Sequence, residues 1–152
     1  MSAGVTVTPL EQYPDERGSV KLILQDGHYF SEVKQVYVST VYPGTIKGWH
    51  KHKTKALNYV CVSGLIRLVI ATPEASMPVQ RAKPLGGEFQ EIVMGDTNYV
   101  LVHIPPGYWN AFMGLGDREA VIVNCATRVY SEDDIERLPY NYFAYDWTFK
   151  HG

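Results

Sequence analysis

The stretch GTIKGWHKHKTK, residues 44–55, places His50 and His52 one residue apart among four lysines. On a β-strand this spacing puts both imidazoles on one face and Lys51 and Lys53 on the other. Two chemistries are open to such a pair. One is metal binding, which takes about three protein ligands drawn from His, Cys or carboxylate; His103 is a further nitrogen that could join. The other is proton transfer, because an imidazole titrates near neutral pH and suits a general base.

The elements that must hold these groups read as short strands. Segments 5–10, 19–24, 34–42, 57–62, 65–71, 89–94, 99–104 and 119–126 are rich in Val, Ile, Tyr and Thr, with Gly, Pro and Asp between them. Ser63-Gly64-Leu65 predicts a tight hairpin turn. Residues 72–87 read as a long Pro/Gly-containing loop, and SEDDIERL (131–138) reads as a helix that Ser131 caps, with acidic residues in its first turn. Regularly spaced short strands predict a sandwich or barrel. In the strand at 34–42, Gln35, Tyr37, Ser39 and Val41 share one face and Val36, Val38 and Thr40 the other; the polar face meets either solvent or a cavity inside the barrel.

Composition removes several classes. The chain has 152 residues, 45% hydrophobic and 20% charged, which fits one domain over 1–152 with a real core. A net charge of −2 gives no bulk basicity for nucleic acid. No apolar run approaches the roughly 18 residues of a membrane span. The opening MSAGVTVTPL lacks the charged and long apolar regions of a signal peptide, and Cys61 and Cys125 lie in apolar strand-like runs, as buried thiols of a reducing cytoplasm would. Eleven tyrosines and three tryptophans could stack on a flat ligand, fill an interface or pack the barrel, and YFAYDW (142–147) reads as packing or a dimer contact.

Counted from Gly44, the positions of His50, His52, Leu57 and Gly64 resemble the first motif of the cupin superfamily, and GDTNYVLVHIPPGYWNAF (95–112) resembles the second. Metal-binding cupins place a glutamate at Leu57 and a histidine at Asn110, so the resemblance implies neither metal nor other cofactor here. More specifically, the chain from about Asp15 to Tyr130 is similar to the nucleotide-sugar branch, the 3,5-epimerases of dTDP-4-keto-6-deoxysugars and the related 3,4-ketoisomerases. DERG (15–18) matches D-x-R-G; GTIKGWH (44–50) matches the motif that ends in the epimerase catalytic histidine; Gln35 falls on a family glutamine; KQVYV (34–38), KGWHKHK (47–53) and YSEDDIER (130–137) resemble ketoisomerase segments.

The resemblance implies an all-β cupin, a double-stranded β-helix or jelly-roll barrel with a short C-terminal helical segment, forming a cytoplasmic homodimer whose N-terminal strands pair across the interface. It implies a nucleotide-diphosphate sugar, dTDP-linked, as substrate, with neither nucleic acid nor membrane as partner. His50 or His52 removes a proton alpha to the C4 ketone, the enolate is stabilised by a nearby donor or cation, and Tyr37 reprotonates it. Arg17 and Lys47 would hold the diphosphate, and Gln35, Lys55, Asn110 and Asn124 would line the substrate site. Some positions depart from the family pattern. Asn124 stands where 3,5-epimerases carry their catalytic tyrosine, Lys47 replaces an arginine, and Lys55 lies two residues before the family lysine position. The aspartate that orients the histidine would be Asp133, Asp134 or Asp146. Epimerisation at C3 and/or C5 leads; a 3,4-ketoisomerase is the alternative, with a non-catalytic ligand-binding cupin, or a metal-dependent one using His50, His52 and His103, behind it.

Overall fold

A computed structural model describes residues 4–25, 32–71 and 89–149. One antiparallel sheet runs in the order β1 (Thr6–Pro9), β9 (Val100–Ile104), β6 (Leu57–Ser63), β11 (Ala120–Ala126) and β4 (Gln35–Val41). A second runs β12 (Ile135–Leu138), β5 (Ile46–His52), β10 (Trp109–Leu115), β7 (Leu65–Ala71) and β8 (Phe89–Gly95). β2 (Gln12–Asp15) and β3 (Gly18–Lys21) form a separate hairpin. The chain crosses repeatedly between the two sheets, which is the jelly-roll arrangement expected of a cupin.

Alternation along the strands builds the core. Leu57, Tyr59 and Cys61 of β6 face Ile66, Leu68 and Ile70 of β7 across the sandwich, with Val102, Ile104 and Met94 beside them. Each such side chain contributes roughly 1.5–3 kcal/mol over its exposed state. The central strands are apolar on their outer faces too, because those faces are covered. Residues of the C-terminal segment, Phe143 above all, lie over Trp49, Val69 and Trp109. The buried Arg67 guanidinium donates to the Trp147 and Thr148 carbonyls, and the Trp49 indole donates to Tyr140 O at 3.1 Å. The aromatic tail is therefore packing on the second sheet. On the first sheet, Leu10, Ile23 and Leu24 cover Val60 and Leu101.

The hairpin at Gly64 forms as expected. Its φ is +83°, and a Cβ there would stand 2.8 Å from Ala120 Cα. Both cysteines are buried free thiols. The loop expected over 72–87 lies outside the described residues. The helix expected over 131–138 does not form. Glu132–Asp134 make a single 3-10 turn, Ser131 makes no capping hydrogen bond, and Ile135–Leu138 pair as β12 with the edge of β5. The local acidic and capping signal is outweighed by the row of backbone hydrogen-bonding groups that the β5 edge presents.

Candidate active site

The β12–β5 pairing builds one wall of a cavity. Ile135 lies opposite His52 and Arg137 opposite His50, and partners directly opposite in an antiparallel pair point to the same side. On the other flank of β5, Asn110 of β10 also lies opposite His50. The register shifts between Asn110 and Phe112, so β5 carries a bulge near Gly48 and Trp49, which brings Lys47 to the same side of the sheet as His50 despite their odd separation. The Pro105-Pro106-Gly107 turn fixes the far end, where the Gly107 N–H donates to His52 O at 2.8 Å; Gly107 has φ +91°, a conformation suited to glycine.

The first sheet supplies the facing wall. Tyr37, Asn124 and Tyr59 form one row across β4, β11 and β6. Gln35 and Tyr37 line the cavity, whereas Val36 and Val38 on the opposite face of β4 are 58% and 61% exposed. The polar face of this strand thus faces the inside. The enclosed space is about 320 Å³ and is bounded by His50, His52, Lys55, Tyr59, Tyr130 and Arg137 in addition to the β4 residues. Beyond Tyr130 a wider groove of about 700 Å³ opens, lined in part by Lys34 and Arg128.

Electrostatics leave the two imidazoles neutral. Burial lowers the pKa of His50, helped by the charges of Arg137 and Lys47. Burial, followed by the Lys55 ammonium, pulls His52 down to about 4 against the opposing pull of Asp134. Asp134 is pinned by Thr54, whose N–H and hydroxyl both donate to Oδ1 at 2.8 and 2.6 Å. Its Oδ2 stands 3.6 Å from His52 Nδ1, a contact longer than a hydrogen bond. Burial would raise the Asp134 carboxyl, but the Thr54 hydrogen bonds and His52 outweigh it and hold it below its ordinary value. Of the three aspartates considered for orienting a histidine, this is the one in place. Lys55 is 1% exposed, and its ammonium has no hydrogen-bond partner. It lies 5.9 Å from the Tyr37 ring centre and 5.6 Å from that of Tyr130, and burial depresses its pKa.

The sequence-predicted residues divide. His50, His52, Tyr37, Gln35 and Lys55 meet in the cavity. Asn110 and Asn124 are 2% and 1% exposed; they lie on the cavity side of their strands but do not line it, each bonded to a tyrosine hydroxyl. Lys47 is exposed and donates to Ser39 Oγ at 3.0 Å. Arg17 is bonded to Asp15 in the β2–β3 turn, with its side chain 86% exposed, and does not line this cavity. Lys51 is on the outer face, paired with Glu136 and over the Trp109 ring. Tyr59 and Arg137 were not singled out from the sequence. Reading 135–138 as a strand would have placed Arg137 on the face of Ile135. Tyr130 also borders the site: its hydroxyl bonds Glu132 and accepts from Arg137 at 3.1 Å, and its N–H donates to Gln35 Oε1.

The donor set does not suit a metal. His103 pairs across β6–β9 with Asn58 and bonds it at 2.7 Å, on the face of the first sheet opposite Tyr59, so the three imidazoles do not converge. Leu57 is apolar, and both ends of the Asn110 amide are engaged within the protein. Among the described residues no group of three or more His, Cys, Asp or Glu is arranged to hold an ion.

Residues 3–147 match the family model described as "FdtA: WxcM-like, C-terminal". The chain belongs to the FdtA family. Within its wider kinship, the chain is 30% identical to the Haloferax volcanii protein "Probable low-salt glycan biosynthesis epimerase Agl13", over 97% of this chain and 96% of that one. It is 27% identical to the spore coat polysaccharide biosynthesis protein SpsL of Bacillus subtilis, over 93% and 91%. Among solved structures, a dTDP sugar isomerase from Desulfovibrio desulfuricans superimposes with a TM-score of 0.84 at 27% identity, covering 96% of this chain and 92% of that one. This FdtA-family fold is thus the nucleotide-sugar type of cupin that the motifs suggested.

Proposed function

We propose that this FdtA-family chain isomerises a nucleotide-linked 4-keto-6-deoxysugar, inverting C3 and/or C5 through an enolate. The observation that carries the reading is the cavity itself: two neutral imidazoles on one wall, a tyrosine hydroxyl on the other, and an unpartnered ammonium between. A neutral imidazole of His52, backed by Asp134, removes the proton alpha to the ketone. The C–H electron pair forms the carbon–carbon double bond, and the carbonyl π pair moves to the C4 oxygen, where Lys55 stabilises the developing charge in a site of low dielectric. The enolate carbon then takes a proton from the Tyr37 hydroxyl on the opposite face, and the carbonyl re-forms. The histidinium and tyrosinate left behind exchange protons with water to restore the enzyme. His50 is the second base within reach.

Arg137 at the cavity mouth and the groove beyond Tyr130 are sized and charged for a diphosphate and its nucleoside, and the Desulfovibrio relative's description as a dTDP sugar isomerase favours a dTDP sugar. Arg17 would reach substrate only in a second copy. The exposed Val36 and Val38 of edge strand β4, with Tyr13 and Val20 of the hairpin, support a homodimer whose N-terminal hairpins contact the partner. Nucleotide sugars are made in the cytoplasm, which is the compartment we assign.

A second reading, 3,4-ketoisomerisation, is favoured by the placement of Tyr37 and His52 in one cavity; it needs the proton returned to oxygen and to a different carbon. Product analysis separates the two. With dTDP-4-keto-6-deoxyglucose, an epimerised 4-ketone supports the first and a 3-ketone the second. Unchanged substrate with wild type, or full activity in both His50→Asn and His52→Asn, rejects the site.

A further inference from the structure

We propose that Asn124 and Asn110 impose opposite hydrogen-bond polarities on the two cavity tyrosines, so that Tyr37 offers its proton to the substrate and Tyr59 does not. The inference rests on the isomerase reading only for its catalytic consequence. An asparagine side chain has one accepting and one donating end, and a fixed neighbour decides which way it faces. Asn124 Oδ1 receives the backbone N–H of Asn58 at 3.0 Å, a group that can only donate. Its Nδ2 is therefore turned to Tyr37, and the hydroxyl oxygen accepts at 2.8 Å. With a lone pair occupied from behind, the Tyr37 proton is left for the cavity.

Asn110 is set the other way. Its Nδ2 donates to His50 O at 3.3 Å, a carbonyl that can only accept. Its Oδ1 therefore faces Tyr59, whose hydroxyl donates at 3.2 Å. The Tyr59 proton is committed to the protein, and burial raises the phenol's pKa, which keeps that proton in place. Asn124 stands between Tyr37 and Tyr59 in one row of the first sheet, while Asn110 reaches Tyr59 from β10 of the second. At the positions where 3,5-epimerases carry a catalytic tyrosine and metal-binding cupins a histidine ligand, this chain carries two positioning residues.

Raman difference spectra test the polarity without substrate, because the intensity ratio of the tyrosine ring doublet separates hydroxyls that accept from those that donate. Wild type minus Tyr37→Phe is expected to show an acceptor, and wild type minus Tyr59→Phe a donor; a donating Tyr37 overturns the inference whatever the activity. Asn124→Asp keeps the shape but makes both ends acceptors, so the Tyr37 signature should invert. Its kcat on dTDP-4-keto-6-deoxyglucose should fall about 100-fold with KM changed less than about threefold, and the loss should vanish in a Tyr37→Phe background. Equal losses in both backgrounds overturn the positioning role.

Discussion

Lowering the pH from 7 to 5 separates a buried base from an ordinary one. With His52 held at about 4, about nine-tenths of it is still unprotonated at pH 5, so kcat/KM should fall by less than about 1.2-fold. An imidazole at its usual 6.5 would be about 3% unprotonated at pH 5, and kcat/KM would fall about 25-fold. Asp134 is the group that favours protonation of His52, so Asp134→Asn should move the acid limb to still lower pH. The same change weakens the base and frees its ring, and kcat at pH 7 should drop about tenfold. Stability should run the opposite way to the retained activity. Between pH 6.5 and about 4 the unfolded chain binds a proton that folded His52 refuses, so unfolding becomes easier as pH falls through that window. The assay is initial rates across pH 4.5–8 with a thermal melt at each point. An acid limb centred at 6.5 in wild type would refute the assignment of a desolvated His52 as the base.

Three substitutions probe other parts of the account. Lys55→Met removes an unpartnered buried cation, so the melting temperature should rise while kcat falls about 100-fold; loss of both points to a structural lysine. Arg137→Ala should raise KM about tenfold with kcat within about threefold, as steady-state kinetics would show; an unchanged KM removes it from substrate binding. Gly64→Ala forces a side chain into the +83° turn against Ala120 and should cost at least about 2 kcal/mol in urea unfolding, with a loss below about 0.5 kcal/mol contradicting the turn geometry.

The parts of this fold that local chemistry dictates were legible in the residues. Gly64 and the Pro105-Pro106-Gly107 turn announce themselves because few other residues take those conformations, and the apolar runs of β6, β7 and β9 follow from strands covered on both faces. The parity of His50 and His52 also held, since both precede no further irregularity in β5. What was not legible depended on pairing. Residues 131–138 carry helix-start chemistry locally and become a strand only because the β5 edge receives them, and that pairing delivers Arg137 to the site. Lys47 falls on the family's anion-binding position, but its ammonium is exposed, donates to the nearby Ser39 hydroxyl and does not line the cavity. Asn110 and Asn124 are polar at positions that look substrate-facing. Only the three-dimensional hydrogen bonds show them engaged by the cavity tyrosines instead.

Carbon-acid chemistry in this cavity would be read out by NMR of dTDP-4-keto-6-deoxyglucose with the purified protein in deuterated buffer. Solvent deuterium should enter C3 or C5 with wild type, and exchange should slow at least about 100-fold in His52→Asn. No deuterium entering any ring carbon, with the protein folded and the nucleotide sugar bound, would contradict it.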